Sequence, residues 1–152
     1  MLQWTCYTID IYMNADKTDK IQKPLLPYFE EFLLYIKTQN YSEETLYNYE
    51  RDLKYLINFL EDEKLHYKDL NKLLFNRFKA WLLSIDRKQP LTGLTAGRSL
   101  EAGSVNRCLS SIRTYFRYLI DIDQPVPIAP DAIKLIKAPK KHKQVAELDE
   151  LI

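Results

Sequence analysis

Glycine is scarce in this 152-residue chain, at three residues against seven prolines. So few glycines argue against a turn-rich all-β fold, and they favour helices before any periodicity is read. Cysteine and histidine are equally sparse, at two each. Cys6 and Cys108 lie far apart with no metal-ligand pattern around them, and His66 and His142 are isolated. Neither a disulfide framework nor a zinc site is suggested, and no cofactor is expected. No apolar run approaches the ~20 residues needed to span a bilayer, and the N-terminus lacks the basic and long apolar stretches of a secretory signal. The sequence therefore reads as cytoplasmic, with no membrane partner. Clustered ligands and nucleophile–base pairs are missing too, which leaves a hydrolase or metal enzyme without residues to act through.

What is present suits one domain with its own core plus tails. The formal net charge is only +1, but the charges are segregated along the chain. Acids crowd the first half in Glu30-Glu31, Glu43-Glu44 and Glu61-Asp62-Glu63, whereas Ala102 to Ile120 holds Arg107, Arg113 and Arg117 and no acid. A second acid-free stretch, Ala132 to Ala146, holds Lys134, Lys137, Lys140, Lys141 and Lys143. Where a nucleic-acid face is in question, such distribution matters more than the sum.

Residues 1–23 show no sustained period and read as a disordered tail; Met13 opens its polar run and reads as the true start. Leu26, Phe29, Phe32 or Leu33, and Ile36 then fall at helical spacing, giving a helix over about 25–39 that Pro24 and Pro27 would open and Asn40 would end. Ser42 is a suitable N-cap with Glu43 and Glu44 behind it, so a second helix runs to about Asp62 with Leu46, Tyr49, Leu53, Leu56, Ile57 and Leu60 inward. Leu70, Leu73 or Leu74, Phe78, Trp81 and Leu82 mark a third helix over about 70–84. Pro90, Gly93, Gly97 and Gly103 punctuate an unusually long loop. Ser104 is expected to cap a fourth helix with Val105, Cys108 or Leu109, Ile112, Phe116 and Leu119 inward. Pro125, Pro127 and Pro130 break it, residues 131–137 allow one or two turns, and the remainder to 152 reads as a Pro/Lys-rich linker with the start of a further helix at 147–152. The expected organisation is a tail over 1–23, a helical domain over 24–124 and a linker over 125–152.

At 100° per residue, a fourth helix centred on Ile112 turns Arg107, Ser110, Thr114 and Arg117 outward, with Asn106 and Arg113 flanking. Arginine neutralises phosphates and can fork onto guanine, hydroxyls bond phosphates, and asparagine can pair with adenine in the major groove. The second helix treated in the same way exposes Thr45, Asn48, Arg51, Tyr55 and Asn58, with Lys54 at the edge, although Glu44 and Glu50 dilute that face. A solvated surface can also carry three arginines over three turns, and a short lysine run such as Lys140-Lys141-His142-Lys143 can be a plain tail.

Two segments resemble the N-terminal core-binding, or SAM-like, domain of tyrosine recombinases of the phage-integrase and Xer type. Ser42, Thr45, Tyr49, Asp52 and Leu53 match that family's S-x-x-T-x-x-x-Y-x-x-D-L helix, and Ser104 to Leu119 is similar to its S-x-N-R-x-L-S-x-[LI]-R-x-[FY]-[FY]-x-[FY]-L helix. Ile136 to Lys141 is like the lead-in to a catalytic domain. The resemblance, over about residues 25–145, implies an all-α four-helix SAM-like bundle that clamps double-stranded DNA through its second and fourth helices. It implies that other recombinase protomers are partners, that Ser42, Thr45, Arg51, Asn106, Arg107, Ser110, Arg113 and Arg117 contact DNA, and that the basic linker with Lys140, Lys141 and Lys143 crosses the backbone; Asn48, Lys54 and Thr114 on the exposed faces, with Ser104 and Arg98, complete the expected DNA-contacting set. Which of Arg87, Lys88 and Arg98 on the long loop would touch DNA is left open. The family's catalytic Arg, Lys, His-x-x-Arg and Tyr belong to a domain that would begin near Leu148, so this chain reads as a non-catalytic fragment. The alternatives are a helical protein-interaction module using Tyr35, Tyr47, Tyr55 and Tyr118, and a stand-alone DNA-binding regulator of recombination.

Overall fold

Capping chemistry and apolar spacing set four α-helices among the described residues. A computed structural model of the protein describes residues 25–90 and 92–140. The helices are α1 (Phe29–Thr38), α2 (Glu43–Asp62), α3 (Lys72–Leu83) and α4 (Ala102–Asp121), with single 3₁₀ turns at Tyr67–Asp69 and Pro130–Ala132. The fold is all-α, and one isolated antiparallel bridge, Lys88 with Thr95, is the extent of β-pairing among the described residues. The expected tail over 1–23, Cys6, His142, Lys141, Lys143 and the helix start at 147–152 lie outside the described residues.

Ser42 caps α2 as expected, its Oγ accepting from the Thr45 N–H at 3.2 Å. Asn71 does the same for α3 through Leu74, at 3.0 Å. Two helix starts differ from expectation. The first helix begins at Phe29 rather than near 25, because Leu26 precedes Pro27 and is steered out of the helical region, and Tyr28 then takes a left-handed φ of 55°. The fourth begins two residues before Ser104, with extended Glu101 at its N-cap position, so Ser104 lies within the first turn instead of capping it. With so little glycine, three helix ends pass through left-handed non-glycine residues: Asn40, Lys64 and Asp123. Behind Lys64, Leu65 N–H returns to the Leu60 carbonyl at 2.9 Å; behind Asp123, Gln124 N–H returns to the Leu119 carbonyl at 2.8 Å. Both close in the manner of a Schellman motif.

Phe32, Leu53, Leu56, Phe59, Phe78, Ile112, Tyr115 and Phe116 form the centre of one core, to which all four helices contribute. Phe32 meets Tyr115 edge-on at 5.4 Å, and Tyr115 donates its hydroxyl to the Pro27 carbonyl at 2.5 Å, tying the chain's entry to α4. Because α2 touches α1, α3 and α4, its buried stripe is wider than a one-sided wheel allows. Tyr55, expected outside, is therefore buried against Trp81. Tyr118 is buried as well, with its ring 5.0 Å from that of Tyr35. The tyrosine patch of the protein-interaction alternative thus loses two of its four members to the core.

The long connection between α3 and α4 is a folded excursion. Gly93 and Gly97 supply its positive φ angles of 64° and 69°, and Ala96 and Gly97 N–H groups bond the Arg87 and Ile85 carbonyls. Arg87, 4% exposed, donates to the carbonyls of Ser84 and Arg98 at 2.9 and 2.6 Å and lies over the Tyr55 ring. Its charge thus holds the excursion together. After α4 the chain folds back: Ile128, Pro130 and Ile133 are buried against the same core. Of the one or two turns expected over 131–137, only the Pro130–Ala132 turn forms.

Candidate nucleic-acid interface

A carboxylate lies within the apolar contact between α2 and α4. Asp52 is fully buried, and Ser111 Oγ donates to its Oδ2 at 2.8 Å. Arg107 Nε lies 3.4 Å from Oδ2, and Arg51 reaches Oδ1 at 3.5 Å. The Cys108 thiol donates to the Asp52 carbonyl at 3.4 Å. Burying a lone carboxylate would cost several kcal/mol, which the two guanidinium groups offset. The arginines remain partly open, Arg107 at 45% and Arg51 at 22% side-chain exposure, and Arg107 sets a second nitrogen, Nη2, 3.5 Å from Oδ1. One buried negative charge and two positive ones leave this node with a net positive charge. Arg51 also stacks over the Tyr47 ring at 5.5 Å, which limits its freedom.

Three other residues of the expected set are engaged by the returning segment. Asn106 donates its amide to the Ile136 carbonyl and accepts from the Ile136 N–H, both at 2.9 Å. Arg113 donates Nε to the Ile133 carbonyl at 2.7 Å and adds a second bond to the same oxygen. Arg117 pairs with Asp131 at 3.0 Å. In this arrangement the Asn106 amide has no donor–acceptor pair to offer adenine, and the Arg113 fork is turned to a carbonyl. On the open side of α4, Ser110 is exposed and Thr114 bonds back to the Ser110 carbonyl.

On α2, Ser42 and Thr45 hydroxyls lie 3.0 Å apart, Asn48 is half-buried, and Lys54 is paired with Glu50 at 2.5 Å. Ser104 is half-buried, while Arg98 and Lys140 are exposed. Of the loop cations left open, Arg87 is interior and Lys88 reaches Asp62 at 3.4 Å. The residue that the α2 motif contains but that a wheel of exposed positions leaves without a role is Asp52. Its signal is one acid beside Leu53 on the buried side of an amphipathic helix.

Burial raises the Cys108 thiol well above its ordinary range, with the nearby Asp52 charge adding to the effect; the thiol is therefore protonated and unreactive. Desolvation, then the neighbouring Arg113 guanidinium, lowers Lys79 from the usual lysine value. No group of three His, Cys, Asp or Glu side chains that could hold a metal occurs among the described residues, and no described helix is long and apolar enough to cross a membrane.

A small all-α domain whose second and fourth helices meet over a buried acid and two arginines is the class that the fold defines. The family model described as "Phage integrase, N-terminal SAM-like domain" matches residues 29–122, more than half of the chain, and the protein belongs to that family. Membership implies a role in site-specific recombination; the matched model is of the N-terminal domain and not of a catalytic one. No curated protein and no solved structure matches the chain significantly.

Proposed function

We propose that this domain grips double-stranded DNA along the ridge where α2 and α4 meet and so positions a recombinase on its core site, with no bond chemistry of its own. The observation that carries this reading is the Asp52 node, which holds Arg51 and Arg107 on one carboxylate with 22% and 45% of their side chains exposed. The guanidinium nitrogens not turned to Asp52 suit phosphate oxygens. Ser42, Thr45, Asn48, Ser110 and Thr114 extend the polar ridge, and Lys140, with Lys141 and Lys143 beyond it, would follow the phosphate backbone. Asn106, Arg113 and Arg117 act indirectly, by setting where that basic segment leaves the domain. The folded unit accordingly runs from about Leu25 to Ile136, and other protomers on the same cytoplasmic DNA would be its protein partners.

The test is anisotropy titration of a labelled duplex over a range of salt concentrations, with the wild-type chain and the variant Arg51→Gln/Arg107→Gln, its helicity checked by circular dichroism. The slope of log K against log salt should shrink by about 0.9 for each phosphate that the variant no longer neutralises. Unchanged affinity and slope would remove the ridge from the interface.

A further inference from the structure

A second basic feature lies away from the Asp52 node. Lys72, Phe75, Asn76 and Lys79 of α3, with Ala132 and Lys134 of the returning segment, line a recess of about 190 Å³. That volume is below the ~300 Å³ at which pockets for organic ligands begin, but it admits one small oxyanion. Three lysines and an asparagine are among the residues that line it, and no carboxylate lines it. Lys72 opens α3, where the helix dipole is positive. The nearest acid of the returning segment, Asp131, is paired with Arg117.

We propose that this recess binds a phosphate group. Lysine ammonium groups act as compact point charges with three rotatable donors each, which suits a tetrahedral oxyanion approached from several sides. Desolvation, then the Arg113 guanidinium, disfavours the Lys79 charge, and an anion held beside it would offset both. The phosphate is that of a DNA backbone if the ridge proposal holds, in which case α3 and the returning segment widen the footprint beyond α2 and α4; otherwise it is free phosphate.

Two arms test the site. The ¹⁵N-labelled wild-type chain is titrated with inorganic phosphate, against chloride at matched ionic strength, and compared with Lys79→Gln/Lys134→Gln. Saturable shifts at the Asn76, Lys79 and Ala132 amides, absent with chloride and from the variant, are expected. The same variant should lose about 0.9 from the salt slope of duplex binding. Slope loss identifies the duplex as the source; phosphate shifts with an unchanged slope identify free phosphate; neither response overturns the site. A wild-type chain that fails to bind duplex sinks the ridge proposal and leaves the phosphate arm to decide this one.

Discussion

Asp52 is the polar residue on which the α2–α4 contact is centred. Asp52→Ala deletes a carboxylate with no solvent exposure and orphans Ser111 Oγ, which is itself buried. A hydrogen bond to a charged group contributes about 1.5–3 kcal/mol. The two arginine contacts are long and partly exposed, so each is screened to about 1 kcal/mol or less. The expected loss is therefore about 2–4 kcal/mol. With a urea m-value of about 2 kcal/mol/M, the midpoint should fall by roughly 1–2 M. Asp52→Asn preserves shape and an acceptor for Ser111, but turns an amide towards two cations, so it should lose less, about 1–2 kcal/mol. A double-mutant cycle with Ser111→Ala isolates the shared bond and should return a coupling of about 1–2 kcal/mol. A loss below about 1 kcal/mol for Asp52→Ala, or no coupling to Ser111, would refute the view that this acid organises the α2–α4 contact.

Asn106→Ala should remove both bonds to Ile136 and speed hydrogen exchange of the Ile136 amide by about tenfold or more, with a smaller effect on global unfolding; unchanged exchange would mean the returning segment is held by Ile133 alone. Burial raises Tyr115, Tyr67 and Cys108, so each keeps its proton in the folded chain while the unfolded chain releases it. Stability is therefore full below about pH 8.5 and declines as pH rises through the ordinary thiol and phenol values, by up to about 1.4 kcal/mol per pH unit for each fully shifted group. Tyr115→Phe should cost about 1 kcal/mol at pH 7, through the lost bond to Pro27, and flatten the alkaline limb seen in urea titrations at successive pH values. Lys64→Gly, at φ 54°, should raise stability by about 0.5–1 kcal/mol in thermal or urea unfolding, because glycine takes the left-handed helix end without the Cβ penalty.

The helices were legible because their signals are local. Ser42 and the stripe from Leu46 to Leu60 fix α2 within a few residues of each other. What misled was equally local information used beyond its reach. Pro27 suits the first turn of a helix, but it also restrains Leu26, and that restraint delays α1 to Phe29. The excursion between α3 and α4 carries no alternating pattern, so its folded state depends on Arg87, whose partners include a carbonyl eleven residues away. Tyr55 looked solvent-facing because a helical wheel assumes one packed side, whereas α2 has neighbours on three.

The motif containing Asn106 and Arg107 shows why the site was only half legible. Adjacent residues on a helix point 100° apart, and here that angle separates two jobs. Asn106 turns to Ile136, thirty residues ahead, while Arg107 turns to Asp52, fifty-five behind. A wheel reports only that both face away from Ile112; it cannot report that a chain broken by three prolines returns to cover one side. Once it does, Arg113 and Arg117 on the Asn106 side are taken up by Ile133 and Asp131, while Arg107 on the other side is set on Asp52. The basic residues late in the chain thus separate into those that hold the returning segment and those that it presents, and Lys134, Lys137 and Lys140 are exposed because Asn106 and Arg113 fix the backbone that carries them.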